Sequence, residues 1–395
     1  MKSFSMMPMV GMDNKSADDE LQVKGQDKHF YVRDAVNVLF ENGRARMRPG
    51  AQLVTPTAYR NLWQSPLHGD VFGQLEEEWG RVDRYTWEFE PLATVGSGLV
   101  AQFVLNNLVA VSSPYGIWTY NGAEAVPLCL PEPPAPRLEL EAGGLASGDY
   151  GVALAWLRDG MESPLSPAAF VNAPDGAGLR VTFPLCLDDT VTHVRLYFTR
   201  QNGGELLRGE DYPISQLQVV VPLLPTLGAP AQFRHMSPMP GGRFAGVWRG
   251  RLVTASSNVL RFSQALAYHI HDQRHDFVLM PQRITFVQPV DGGIWVGQVD
   301  HVAFLSGDRP EALQLVRKAA RAPVPGSALL VKADLLGGEL SGGGGHCAVW
   351  LAANGYVVGT SEGGLVEVQA KHIGNVHGQN GASAVHGNRL ITAVT

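Results

Sequence analysis

The sequence predicts an all-β chain, and three observations carry that prediction. Glycine supplies 45 of the 395 residues while charged residues supply only 17%, a balance that suits many tight turns better than solvated helices. Asn-Gly or Asp-Gly pairs begin at Asn42, Asn121, Asp159, Asp175, Asn202, Asp291, Asn354 and Asn380. Both residues accept the positive φ that a two-residue type I′ hairpin turn requires. The segments beside these pairs are short and strand-like, as in 100–105, 293–299, 356–360 and 365–369, with alternating or briefly continuous apolar residues. Helical periodicity is confined to two short stretches, 16–21 and 310–317.

Taken in order, residues 1–24 read as an extended N-terminal arm. It carries Met1, Met6, Met7, Met9 and Met12, then a polar run from Asp13 to Glu20. Unbranched Met side chains adapt to irregular surfaces, so Met7, Met9, Met12 and Asp13 are expected at an interface, the alternative being a frayed terminus. Residues 25–130 follow as hairpins. The run Pro131-Glu-Pro-Pro-Ala-Pro136 is a stiff, polyproline-like linker that ends the fold before it.

Residues 137–225 change character. Tyr150-x-Val152-x-Leu154-x-Trp156, the Glu162-Ser-Pro-Leu-Ser-Pro turn and the late Val194-x-Leu196-Tyr197 strand space like a fibronectin type III β-sandwich. No Cys…Trp…Cys arrangement marks it as an immunoglobulin domain. Residues 226–395 then resume the earlier pattern. Gly250-Arg-Leu-Val-Thr-Ala is echoed by 388–393, by 107–112 and by 293–297, each near a second strand such as 116–120 or 302–307. Repeats of about 40–50 residues built from hairpins point to β-propeller blades. The two flanking parts together hold about six blades at 40–45 residues each. The fold expected is therefore an all-β propeller interrupted by a sandwich. Its last strand, 390–394, is expected to pair near Val36–Phe40 and so hide a sheet edge.

Composition narrows the function. A chain 45% apolar and 8% aromatic is not generally disordered. Its formal net charge of −6 argues against a generic nucleic-acid binder, which needs clustered Lys and Arg. No run of 18 apolar residues predicts a membrane span, and Pro8 and Asp13-Asn14-Lys15 interrupt the start too soon for a secretory segment. Cys129, Cys186 and Cys347 are odd in number and far apart, so neither a zinc ribbon nor a disulfide framework is indicated. The expectation is a protein made in a cytoplasm, with reduced thiols and no membrane anchor.

The segments Gly11-Met-Asp-Asn14, Tyr31-Val-Arg-Asp-Ala-Val-Asn-Val38 and Asn42-Gly-Arg-Ala-Arg-Met-Arg-Pro-Gly50, with Val287–Gly297 and Val302–Gly307, resemble structural proteins of tailed-phage virions. The similarity is to β-propeller tail proteins, including nozzle proteins of short-tailed phages, in which an Ig- or fibronectin-like domain often interrupts the propeller. The resemblance implies a homo-oligomeric ring, often a hexamer, below the portal and adaptor as the distal DNA exit channel. It also implies neighbours among other tail proteins, such as a tail fibre or spike, and DNA only in transit. Negative charge suits such a channel because phosphates are repelled.

Candidate chemistry is sparse, and no cofactor is expected. His269, His271 and His275 form the densest cluster, and two residues apart on a strand His269 and His271 would share a face as metal ligands do. The blander reading is a polar loop with exposed histidines. Gly337–His346 looks like a glycine loop but lacks the Lys-Ser/Thr and the following helix of a phosphate loop. Glu76-Glu77-Glu78 and the Glu88/Glu90 pair are carboxylates of the type glycosidases use, more simply read as solvated. Asp291-Gly-Gly-Ile-Trp295 is similar to a sialidase Asp-box turn without its Ser/Thr positions. No Gly-x-Ser-x-Gly elbow occurs. Arg44, Arg46 and Arg48 alternate along one strand face as a basic stripe, suited to an acidic subunit surface or a phosphate backbone. The function expected is a non-enzymatic tail component. The rival is a receptor- or glycan-binding tail protein, with Trp118, Trp295 and Trp350 as stacking platforms.

Overall fold

The computed structural model describes residues 7–24, 28–50, 52–342, 344–387 and 389–395. The chain is all-β, with many small sheets. Among the described residues helix is limited to single turns at Pro310–Ala312, Ala333–Leu336 and Gly338–Ser341. No helix among the described residues is long and apolar enough to cross a membrane.

Five four-stranded antiparallel sheets follow one another as simple meanders. They span 60–94, 101–127, 244–279, 284–318 and 329–367. Short turns join most successive strands, with longer connections between Phe262 and Phe277 and between Lys332 and His346, and neighbouring sheets share their cores. Phe72 and Trp79 of the first sheet pack with Val109, Val111 and Tyr120 of the second. Leu105, Ala110 and Ile117 of the second meet Leu252 of the third. Val253 and Phe262 of the third meet Ile294 and Leu305 of the fourth, and Phe286, Trp295 and Phe304 of the fourth meet Trp350 of the fifth. Along 251–256 the alternation is plain: Leu252 faces one neighbour, Val253 and Ala255 the other. Full burial of each such side chain contributes about 1.5–3 kcal/mol, so stacking holds the series together.

Between the second and third meanders the chain builds two further sheets. Arg137–Leu145, Ala177–Thr182 and Gln218–Val221 form one; Gly148–Arg158, Met161–Glu162, Ala169–Ala173, His193–Phe198 and Leu207–Pro213 form the other. Trp156, 1% exposed, lies between them with Leu154, Leu179, Val181, Leu196 and Phe198. The other face of Gly148–Arg158 is covered too, since Ala153 and Ala155 pack with Leu165, Tyr197 and Leu206.

Several local expectations need correction. Residues 16–21 form turns rather than helix. Within 310–317 a single 3-10 turn gives way to strand Gln314–Lys318. The Gly337–His346 connector contains the one-turn helix Gly338–Ser341. The final strand Arg389–Val394 pairs with Gly381–His386, and Val38–Glu41 pairs with Arg44–Met47. Among the described residues, an ion pair between Glu41 and Arg389 joins these two hairpins in place of the expected ladder.

Candidate functional site

The N-terminal residues fold against their own chain. Strand Met9–Met12 pairs in parallel with His29–Val32, which pairs with Gln22–Val23. The Met9 amide donates to the Gly43 carbonyl at 2.9 Å, and the Asp13 amide to Val32 at 2.8 Å. That seats the Asp13 side chain, 2% exposed, against the segment 370–374. Its Oδ1 accepts the backbone N–H groups of Lys15 and Ser16 at 3.0 and 2.9 Å. Its Oδ2 accepts from Nδ1 of His372 at 2.8 Å, and the His372 ring stacks on Tyr31 with centroids 4.3 Å apart.

Asn14 completes the contact. Its amide donates to His372 O at 3.0 Å, its Nδ2 to Gly374 O at 2.9 Å, and its Oδ1 accepts from the Gly374 amide at 2.8 Å. Lys15 Nζ donates to Ala370 O at 2.6 Å. Burial pushes the Asp13 carboxyl upward, but His372 and the Ser16 and Lys15 amides outweigh it and hold it well below the usual carboxylate range. So the arm expected to extend outward is, over residues 9–16, a strand and clasp within the chain. Met7, Met9 and Met12 are half-buried in it; Met1 and Met6 lie outside the described residues.

The basic stripe is partly engaged. Arg44 and Arg46 lie exposed on strand Arg44–Met47, and Arg48 follows its end with its amide donating to Asn37 O at 2.7 Å. Arg46 pairs with Glu41, the carboxylate that also takes Arg389.

The histidines separate rather than converge. His269 Nε2 lies 2.9 Å from Glu162 O and His271 Nδ1 lies 3.3 Å from Ser237 O. Both are buried, against the expectation of an exposed loop, while His275 is exposed in the turn. Burial lowers the affinity of His269 and His271 for a proton. Asp272, beside them, is occupied by Arg274, which draws its carboxyl down to about 2. No three His, Cys, Asp or Glu side chains among the described residues stand together as a metal site.

A polar network that the sequence did not single out lies within the inserted sheets and touches the later part of the chain through the Glu162 carbonyl. Arg195 donates to Glu162 at 2.7 Å and bidentately to Asp211 at 2.7 and 2.8 Å, and the Tyr197 hydroxyl donates to Glu162. The Asp211 contact, against some cost of burial, raises the Arg195 pKa above its ordinary value. The Glu162 carbonyl meanwhile meets His269. Nearby, buried Arg158 donates to Thr190 Oγ1, Pro127 O and Leu128 O at 3.0, 2.6 and 3.1 Å.

The remaining candidates are structural. Glu76 occupies a left-handed hairpin position, Glu78 accepts from Thr94 at 2.7 Å, and Glu90 pairs with Arg81 at 2.8 Å. Trp295 and Trp350 are wholly buried, with Trp295 Nε1 donating to Thr360 O at 2.9 Å. Trp118 is half-buried and walls a cleft of about 480 Å³ with Tyr115, Pro131, Asp188 and Met239. The three cysteines are free, and burial pushes the Cys129 thiol up to about 12.

No family model matches the chain, and no curated protein matches it. Among solved structures, a chain of the mitotic checkpoint complex is 8% identical, with a TM-score of 0.22 over 79% of this chain and 97% of that one. The extracellular domain of the putative one component system BT4673 from B. thetaiotaomicron is 10% identical, with a TM-score of 0.23 over 83% of this chain and 56% of that one. Scores this low assign neither fold nor function.

Proposed function

We propose that this chain is a non-enzymatic structural subunit of a bacteriophage tail. In this reading it is a β-propeller interrupted by a fibronectin-like sandwich, assembled as a nozzle or hub ring below the portal and adaptor. One observation carries it: five consecutive four-stranded meanders share cores strictly in chain order, and a two-sheet insert interrupts the series. Two more fit it. Leu99, just before the second meander, lies against Gly326, just before the fifth, as the ends of sheets around one axis would. The four echoed segments all fall on the second strand of a hairpin, at Leu108–Ser113, Arg251–Ser256, Gly293–Gln298 and Arg389–Val394. The sequence segments named above supply the link to phage tails.

The Arg158 contacts to Pro127 and Leu128 and the Glu162–His269 contact fix the insert against its neighbours, as a packing element of a ring requires. The test is mass spectrometry of purified particles followed by antibody-gold labelling. Label at the tail below the portal supports the reading, and absence of the protein from the particles removes it. A glycan-binding tail protein is favoured only by the cleft beside Tyr115 and Trp118, and a glycan array tests it.

A further inference from the structure

The described residues between 7 and 47 form a unit whose attachment differs from that of the sheets that follow. None of the seven hydrophobic clusters of the described residues includes any of them. Their sheets are a three-stranded one of short strands and a two-stranded hairpin, and such pieces are marginal alone in water. Apolar side chains stay uncovered, Met47 at 83% and Val36 at 74% exposed. Described polar contacts to the rest of the chain fall at two places, and at both an acid of the unit meets a base of the C-terminal part. Asp13 meets His372, with Asn14 and Lys15 on Gly374 and Ala370; Glu41 meets Arg389.

The connector to the first meander does not constrain this attachment. Residues 48–50 and 52–59 carry no strand, and most lie exposed. A connector of about 12 residues reaches about 40 Å when extended at 3.3–3.6 Å per residue, roughly the width of a domain. A small, polar, charge-complementary joint at the end of a long exposed connector makes the same contacts in trans as in cis, at nearly equal free energy. That is the condition for exchange of an element between identical copies.

We propose that residues 370–374 and Arg389 form a docking surface for the N-terminal unit of a second copy of this chain. On assembly, Asp13-Asn14-Lys15 of one copy clasps His372-Ile373-Gly374 of the next, and the ring is tied by exchanged units. A single copy keeps the contact internal. The proposal rests on the ring reading above, and the experiment separates the two.

Two full-length variants, Asn14→Cys and Gly374→Cys, are prepared with different tags, mixed under assembling conditions and oxidised. Size-exclusion chromatography with light scattering reports the oligomer, and peptide mapping identifies the disulfides apart from native Cys129, Cys186 and Cys347. Gly374 accepts the change, because an added Cβ has no neighbour closer than 3.9 Å, the nearest being Asn14 Oδ1. In this mixture a 14–374 disulfide is necessarily between copies. Its formation in an oligomer is the expected result. An oligomer with no 14–374 link in the mixture, while the Asn14→Cys/Gly374→Cys double variant closes that link within each chain, overturns the exchange and leaves the ring standing. A chain monomeric at every concentration overturns both. Should the Cys variants misfold, wild-type chain lacking residues 1–47 supplies the second test: it is expected to stay monomeric while retaining the near-ultraviolet dichroism of its buried tryptophans, and assembly like that of full-length chain overturns the proposal.

Discussion

His372 donates from Nδ1 to Oδ2 of Asp13 across 359 positions of sequence, and its other flank is closed by the face of Tyr31. The carboxylate accepts on both oxygens, so the imidazole must present a proton at Nδ1. This one contact, together with the Asn14–Gly374 pair, ties the first strand of the chain to a loop near its end.

Asp13→Ala is expected to loosen that tie at neutral pH by about 1–3 kcal/mol, the cost of leaving buried partners unmet. The sign of the pH effect follows from the direction of the shift. A carboxyl whose folded pKa is depressed stabilises above its unfolded value of about 3.9, and that stability drains away as pH falls through that range toward the folded value. Hydrogen exchange of peptides covering 9–16, corrected for intrinsic rates, should show protection at pH 7 that declines toward pH 3. Wild-type protection in the Asp13→Ala protein at pH 7 would refute the assignment.

His269 has the opposite chemistry and the same pH trend. Burial depresses its pKa, so the unfolded chain binds a proton near pH 6.5 that the folded chain refuses. Stability supplied by this group is complete above that value and falls as the pH drops below it toward the folded pKa. The urea midpoint of the wild type should therefore decline between pH 7.5 and 5.5. His269→Gln should show a shallower decline, with His271, shifted in the same direction, accounting for part of what remains. Identical slopes would mean that His269 takes up a proton in the folded protein as readily as in the unfolded chain.

Removing Arg195 takes the main cation from two carboxylates at once, leaving Asp211 with the more exposed Arg208 and Glu162 with the Tyr197 hydroxyl. Arg195→Ala leaves Glu162 and Asp211 facing each other in a half-buried site, and loss of one member of such a network costs about 3–5 kcal/mol where burial is complete. Partial exposure brings the expectation nearer 2–3 kcal/mol. The Asp211 carboxyl is held low chiefly by Arg195. The gap between variant and wild type should accordingly narrow below about pH 4 as the Asp211 carboxyl protonates. A gap independent of pH would place the loss in packing instead.

How much of this was legible beforehand depends on the range of each interaction. Asn42-Gly43 and Asp159-Gly160 adopt positive φ at both residues, so turn chemistry read from adjacent residues survived folding. Asn106-Asn107 and Arg249-Gly250 do the same without the Asn-Gly or Asp-Gly signature that marks such turns in sequence. At Asp291-Gly292 neither residue takes the left-handed backbone, yet Val290 still pairs with Gly293. The echoed strand pattern was legible because every copy solves the same local problem.

The candidate site was far less legible. Asp13 stood out as an interface residue at the start of a polar run, but nothing near it in sequence announces His372. His269 and His271 sit among Asp, Gln and Arg, which reads as an exposed loop. Their burial comes from Ser237 and Glu162, partners 34 and 107 positions away. Glu162 and Arg195 likewise read as ordinary charges on separate strands until the sheet brings them together.

A further long-range fit lies at Gly359, and it yields the last prediction. The Trp295 ring covers the glycine so closely that an added Cβ would stand 2.4 Å from its Cε2, while its Nε1 donates to the next carbonyl, Thr360. Gly359→Ala therefore cannot be absorbed by a flexible chain end. It must displace an indole that is wholly buried between two sheets, at an expected cost of about 1–3 kcal/mol. Trp295→Leu removes the obstructing ring and costs about 3 kcal/mol by itself as a large-to-small core change. Combined, the two changes should cost less than their sum by at least about 1 kcal/mol, since the alanine then meets space instead of a ring. Denaturant midpoints of the four proteins in that cycle measure the coupling. Additivity within about 0.3–0.5 kcal/mol would show that Gly359 is there for its backbone alone and not for the tryptophan lying on it.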